Sequence, residues 1–209
     1  MLSLDEFSKY IAENKGKRKF KQSVELAVNF KGVDFTKQEN RLNLEVMLPN
    51  GKGKSRKIAL FTSDKSLIES AKKEGIEVIE ENGLQALASD QKRLASLLAY
   101  DMIAQPSLMP SIAKAVGQFL GPRNSMPKPL PPNTDLKRMA VSMANTATMR
   151  SKGKYLPTIH SVVGTEDMEP GMLYDNINAV VSGINRKLGQ NHIRSAYVKL
   201  TMSKPARLI

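Results

Sequence analysis

Cysteine and tryptophan are absent from this 209-residue chain. Without cysteine there is no disulfide framework, no thiolate metal site and no cysteine nucleophile. Only two histidines occur, His160 and His192. Histidine-rich metal sites are therefore excluded, and a Ser-His-Asp triad would have to use one of those two. No uninterrupted apolar run approaches the ~18–20 residues of a membrane span. The N-terminus carries Asp5 and Glu6 and lacks the basic-then-apolar pattern of a signal peptide. The expectation is a soluble intracellular protein with no membrane partner and no cofactor.

What the chain has in excess is positive charge: 32 Lys+Arg against 20 Asp+Glu, a formal net charge of +12. A surplus spread evenly would be only a solvated surface. Here it is clustered, at Lys15, Lys17, Arg18, Lys19 and Lys21, at Lys52, Lys54, Arg56 and Lys57, and at Arg150, Lys152 and Lys154. Such clusters suit phosphate contacts and counterion release. The hydrophobic share of 41% is enough for a core and too high for a disordered basic tail. Aromatic residues make up 5%, which disfavours base-stacking platforms for single strands and favours a folded RNA or a duplex backbone.

Periodicity divides the chain into two grammars. Residues 3–14 predict a short amphipathic helix, with Ser3 as N-cap, Glu6 at the capping-box position and Phe7, Tyr10 and Ile11 on one face. Val24, Leu26, Val28 and Phe30 then alternate with polar or small residues, as do Leu42, Leu44, Val46 and Leu48. These predict two half-buried strands, expected to pair with each other across the polar connection 31–41. Pro49-Asn50-Gly51 signals a turn.

Beyond it, short apolar strands at 58–61, 76–79 and 97–104 alternate with helices at 64–74, 84–94 and 107–119, the pattern of a parallel sheet. A proline-rich stretch, 121–133, reads as an extended surface loop, and a weak helix follows at 135–146. The first grammar returns with a strand at 158–163 ending at Gly164, a helix at 171–188 and a final strand at 196–201. The expected architecture is α/β with two domains. Residues 1–50 and 148–209 form a discontinuous α+β sandwich domain, and residues 51–147 an inserted Rossmann-like α/β domain. The first carries +7 (18 basic, 11 acidic) and the second +5 (14 basic, 9 acidic). Two covalent crossings close together suit relative rotation.

Catalytic motifs fail on inspection. Gly53-Lys54-Ser55 resembles the end of a P-loop, but Leu48 stands where its first glycine belongs. Thr62, Ser63 and Asp64 follow Phe61 where a dinucleotide-binding fold would place glycines. Gly117 and Gly121 have the spacing of a membrane dimer in a segment too short to span, so local packing is expected. Glu77, Glu80 and Glu81 read as a solvated acidic helix start, because no histidine or nearby aspartate completes a site. His160, in an apolar strand, reads as a hydrogen-bonded structural histidine. No enzymatic activity is expected.

Several segments, in order, resemble a known family. They are Lys19-Phe20-Lys21-Gln22-Ser23-Val24-Glu25-Leu26, Leu120-Gly121-Pro122-Arg123 with Met126-Pro127, Ile159-His160-Ser161-Val162-Val163-Gly164, Asp175-Asn176, and Ser195 to Met202. The family is that of the large-subunit ribosomal protein numbered one, of the mobile stalk beside the exit site for transfer RNA, and the sequence is similar to its archaeal branch. The resemblance implies a cytoplasmic, ribosomal protein whose discontinuous domain binds a helix–loop junction of the large-subunit ribosomal RNA. It also implies an insert that swings about a hinge, stalk movement that accompanies release of deacylated transfer RNA from the exit site, and repression of translation through a mimic of the site on the protein's own messenger RNA.

On the matching positions, Lys19 would contact phosphate, Phe20 would pack on sugar or base, and Ser23 would bond a 2′-hydroxyl. Glu25 would accept from a 2′-hydroxyl or base amine, or else form a salt bridge with Lys21 or Lys199. His160 and Gly164 fall in a matched segment and are carried with it as RNA-binding residues, and Thr201, Met202 and Ser203 would complete the surface. Ser203 stands where the family usually has glycine, so its side chain should either make a new RNA contact or cost about 1–2 kcal/mol of binding at most. Ser203→Gly should then tighten binding. The alternatives are another basic RNA-binding factor in ribosome maturation and, third, an enzyme with a Rossmann-like insert.

Overall fold

The computed structural model describes residues 2–123, 125–131, 135–151 and 156–209. Lys152 and Lys154 of the third basic cluster and Pro132 of the proline-rich stretch lie outside the described residues. The protein is mixed α/β and divides into two compact units, one of Ser55–Met143, the other of the flanking segments up to Lys54 and from Ala144.

The flanking unit opens with α1 (Leu4–Asn14), held at its start by the expected capping box: Glu6 N–H donates to Ser3 Oγ and Ser3 N–H to the Glu6 carboxylate at 3.0 Å. Strand β1 (Ser23–Phe30) buries alternate residues, Val24, Leu26, Val28 and Phe30. Strand β2 (Asn43–Met47) follows.

The intervening unit runs β3 (Ile58–Phe61), α2 (Lys65–Lys73), β4 (Glu77–Ile79), α3 (Gly83–Ser89), α4 (Gln91–Leu97), β5 (Asp101–Ala104), α5 (Met109–Leu120) and β6 (Lys128–Pro129); α6 (Leu136–Asn145) leads out of it. Its strands form a parallel sheet in the order β4-β3-β5-β6. Helices cover both faces, so β3 and β5 bury consecutive residues. Phe61 and Ala104 pack with Leu87, Leu97 and Ile112 on one side, and Leu60 and Ile103 with Ala71 and Leu136 on the other. The helix expected at 84–94 is two helices. Asp90 leaves the helical region (φ −100°, ψ 92°) and its carboxylate accepts the N–H groups of Lys92 and Arg93 at 3.0 Å, restarting the helix as an N-cap. The strand expected from 97 starts at Asp101, because Leu97 ends α4. The proline-rich stretch contributes β6 to the sheet edge, where Pro129 forfeits no central ladder bond.

The chain then returns through β7 (Thr146–Arg150), β8 (Thr158–Thr165), α7 (Pro170–Leu188), β9 (Ile193–Leu200) and β10 (Ala206–Arg207). The main sheet is antiparallel in the order β10-β9-β1-β8. The expected pairing of the first two strands does not occur. Both edges of β1 are taken by the eight-residue strands β8 and β9, and β2 pairs antiparallel with β7 instead. Helix α7 seats against β2 so closely that a Cβ on Gly183 would lie 2.6 Å from Val46 Cγ2. One core gathers Phe7 and Ile11 of α1, Leu173, Ile177, Val180 and Ile184 of α7, and the inner residues of the main sheet. Asn176, fully buried, donates to Gly51 O and Val163 O at 2.8 Å and accepts from Asn50 N–H at 3.1 Å, so its amide is satisfied while it fixes the 49–51 turn.

Candidate nucleic-acid interface

Because α1 and α7 cover one face of the main sheet, the pleat that buries Val24 and Leu26 turns Ser23, Glu25, Ala27 and Asn29 to the other. Register fixes their neighbours. Glu25 lies across from Lys199 on β9 and Val162 on β8, and Ala27 across from Tyr197 and His160. Asn29 donates to Ser195 Oγ at 3.0 Å and accepts from Thr158 Oγ1 at 2.8 Å, closing one end of the face. Of the two partners considered for Glu25, Lys21 forms its ion pair with Asp167, and the ladder sets Lys199 opposite the carboxylate.

His160 differs from the residue-level expectation of a structural histidine. It is exposed on this open face, since Ile159 and Val163 take the inward positions of β8 and the pleat sends His160 outward with Val162. The apolar residues beside it in sequence are on the opposite side in space.

The rim of the face is made by two segments. The loop 15–21 is exposed throughout, including Lys19, and Phe20 is 51% exposed. Beside it, Thr201–Ser203 forms a turn with Met202 57% exposed. Ser23 N–H donates to Thr201 Oγ1 at 3.0 Å and Thr201 N–H to Ser23 O at 3.1 Å, joining this turn to the start of β1. Ser203, the serine in place of glycine, has partners within the chain. Its hydroxyl is engaged inside the protein: it accepts Leu200 N–H at 2.8 Å and lies 2.6 Å from the Tyr10 hydroxyl, which also reaches Lys204 O at 2.7 Å. A groove of about 480 Å³ runs behind the turn, lined among others by Tyr10, Lys17, Arg18, Met202 and Lys204.

Gly164 is buried and lies off the open face. A Cβ there would run into the Leu173 side chain and approach Met168 Sδ to 2.8 Å, so the glycine admits the start of α7 against β8. It sits where the β1–β8 register shifts, between Val24 and Glu25.

Two residues missed as site residues from the sequence lie beneath the rim. Gln22 is 2% and Glu166 5% exposed. Gln22 N–H and Nε2 donate to the Glu166 carboxylate at 3.1 and 3.0 Å. Gln22 Oε1 accepts Met202 N–H at 3.1 Å. The available signal was phase: Gln22 occupies the inward register of Val24 and Leu26, where a polar residue needs buried partners. Elsewhere Glu77 is engaged by Arg93 at 3.6 Å and by the Tyr100 hydroxyl, whose pKa is raised first by that hydrogen bond and then by the carboxylate's charge. Among the described residues, no group of three or more His, Asp or Glu side chains could hold a metal ion.

Residues 9–204 match the Ribosomal protein L1p/L10e family. Large ribosomal subunit protein uL1 of Thermococcus kodakarensis is 41% identical over 196 residues, covering 91% of this chain and 89% of that protein. The uL1 protein of Thermoplasma acidophilum is 40% identical over 204 residues (95% and 92%), and that of Methanosarcina acetivorans 38% over 206 (96% and 95%). The chain belongs to the Ribosomal protein L1p/L10e family and is of its archaeal type.

Proposed function

We propose that this protein is a non-enzymatic constituent of the large ribosomal subunit and that its open sheet face and rim bind a folded junction of large-subunit ribosomal RNA in the mobile stalk. The names of its relatives support membership of the subunit. The observation that carries the RNA site is the grouping of Ser23, Glu25, His160 and Lys199 on one uncovered sheet face, bordered by the exposed Lys19, Phe20 and Met202. Such a surface suits a folded RNA. Lys19 neutralises a phosphate and Phe20 and Met202 cover sugar or base faces, while Ser23, Glu25 and the main chain of 201–203 address 2′-hydroxyls. Glu25, a strong acceptor, excludes a bare phosphate from the middle of the face and admits a hydroxyl or amine there. The same surface takes a mimic of the junction on the protein's own messenger RNA, repressing its translation, and the stalk it joins moves as transfer RNA leaves the exit site.

Sedimentation of ribosomes tests the first claim. The protein should travel with large subunits at moderate salt and should not be chased off by unrelated RNA. A protein found only on subunit precursors would be a maturation factor. Addition of the purified protein should depress translation of its own messenger in a cell-free system and leave an unrelated messenger untouched.

A further inference from the structure

The basic loop at the rim has an unexpected floor. It lies over a buried carboxylate, and that carboxylate grips both of the loop's ends. Glu166 accepts Gly16 N–H at 3.3 Å and Gln22 N–H at 3.1 Å, and its own N–H donates to Gln22 O at 3.0 Å. Between these anchors stand the exposed Lys17, Arg18, Lys19, Phe20 and Lys21. Gly16 turns the chain with φ +71° in open space, so its glycine serves conformation and not clearance. The Gln22 amide extends the grip in two further directions, donating to Asn14 O at the end of α1 (3.3 Å) and accepting Met202 N–H (3.1 Å).

We infer that Glu166 and Gln22 are positioning residues for RNA recognition: one buried hydrogen-bonded pair presets the cationic loop and the Met202 turn relative to each other. The inference rests on the RNA-binding function proposed above and goes beyond it, because neither residue is placed to touch RNA. Lys21 is paired with Asp167, but Lys17, Arg18 and Lys19 on consecutive positions repel one another, and a loop left to itself would spread over many conformations. Ordering it would then be charged against binding. Anchoring its ends on satisfied buried groups removes that cost in advance. Charge alone argues the other way: a carboxylate under a phosphate-binding loop lowers the local positive potential, so on electrostatics its removal should tighten binding to any RNA.

The opposite signs make the test. Binding of the full chain is measured for three proteins, wild type, Glu166→Gln and Gln22→Met, against the stalk-junction RNA and a length-matched RNA with its junction disrupted. Glu166→Gln replaces one accepting oxygen with a donating amide –NH2 and removes a negative charge. Gln22→Met keeps the charge and the bulk and frees Met202 N–H. Both should lose about tenfold on the junction RNA, the worth of one charge-assisted hydrogen bond, with the disrupted RNA bound as before or more tightly. Amide exchange at Gly16 and Met202 should accelerate in Glu166→Gln and Gln22→Met respectively. If Glu166→Gln does not fold, Gln22→Met carries the same expectation. A folded variant that binds the junction RNA as tightly as wild type, or gains equally on both RNAs, overturns the positioning role and leaves the RNA site standing. A wild type that does not discriminate overturns the RNA site and the positioning role together.

Discussion

Replacing Ser203 by alanine isolates one hydroxyl. In the folded protein Leu200 N–H donates to Ser203 Oγ at 2.8 Å, and the Tyr10 hydroxyl lies 2.6 Å from the same oxygen. Ser203→Ala leaves Leu200 N–H without that acceptor, while Tyr10 keeps Lys204 O at 2.7 Å. Both of these bonds to the Ser203 hydroxyl, from Leu200 N–H and with the Tyr10 hydroxyl, are lost. At about 0.5–1.5 kcal/mol for each bond, with solvent access reducing the cost at this half-buried site, the loss should be about 1–2 kcal/mol. Urea unfolding of the full chain, followed by circular dichroism, should show a lower midpoint with an unchanged slope. Tyr10→Phe and the double variant complete a cycle, in which a coupling of about 0.5–1.5 kcal/mol between the two positions is expected. A Ser203→Ala protein within about 0.5 kcal/mol of wild type, with no coupling to Tyr10, would refute the clamp and return the hydroxyl to the surface as a free group.

Other consequences follow from the same geometry. Phe20→Ala should cost about 1–3 kcal/mol of RNA binding, the worth of a base stacked on an aromatic, whereas Lys54→Ala should cost less and mainly reduce the salt slope; equal losses in a filter-binding assay would mean that the charge is generic. Gly164→Ala, which drives a Cβ into Leu173, should lower stability by about 1–3 kcal/mol and leave the RNA affinity of the folded fraction unchanged by titration. The Ser3 backbone N–H, then its hydroxyl, hold the Glu6 carboxyl below the ordinary glutamate range. A group lowered on folding stabilises fully above its unfolded pKa, and that contribution is lost as pH falls through the folded value. An NMR titration should therefore give Glu6 a lower midpoint in wild type than in Ser3→Ala, and equal midpoints would contradict the cap.

Much of the fold was legible because its local physics is strong. The Ser3–Glu6 capping box, the alternation of β1 and the doubly buried β3 were each evident from side-chain spacing. Spacing states which way a side chain points, and it is silent on which strand lies alongside. That is why β2 was given to β1 when its partner, β7, is a hundred residues away in sequence. Asp90 falls inside the helix that spacing predicts over 84–94, but its side chain is also a good N-cap and takes that role. At the candidate site, the clustered lysines and the outward phase of Ser23 and Glu25 are legible from spacing, whereas Phe20 enters only through the family resemblance. The apolar neighbours of His160 in sequence suggest a structural histidine, but the pleat puts Ile159 and Val163 on the opposite face from it. The Gln22–Glu166 pair joins residues 144 positions apart, and no local pattern announces such a partner. Ser203 was visible as a departure from glycine, but the destination of its hydroxyl depended on Tyr10, which lies on α1 at the far end of the chain.

The central claim is that a shaped surface, and not the net charge of +12, selects the RNA. A salt titration of binding to the stalk-junction RNA, beside a length-matched RNA with the junction disrupted, tests it most directly. The account predicts selective binding that persists at about 0.2–0.3 M salt, with a shallow slope because few phosphates are neutralised. Equal binding to both RNAs, falling together as salt rises, would contradict it.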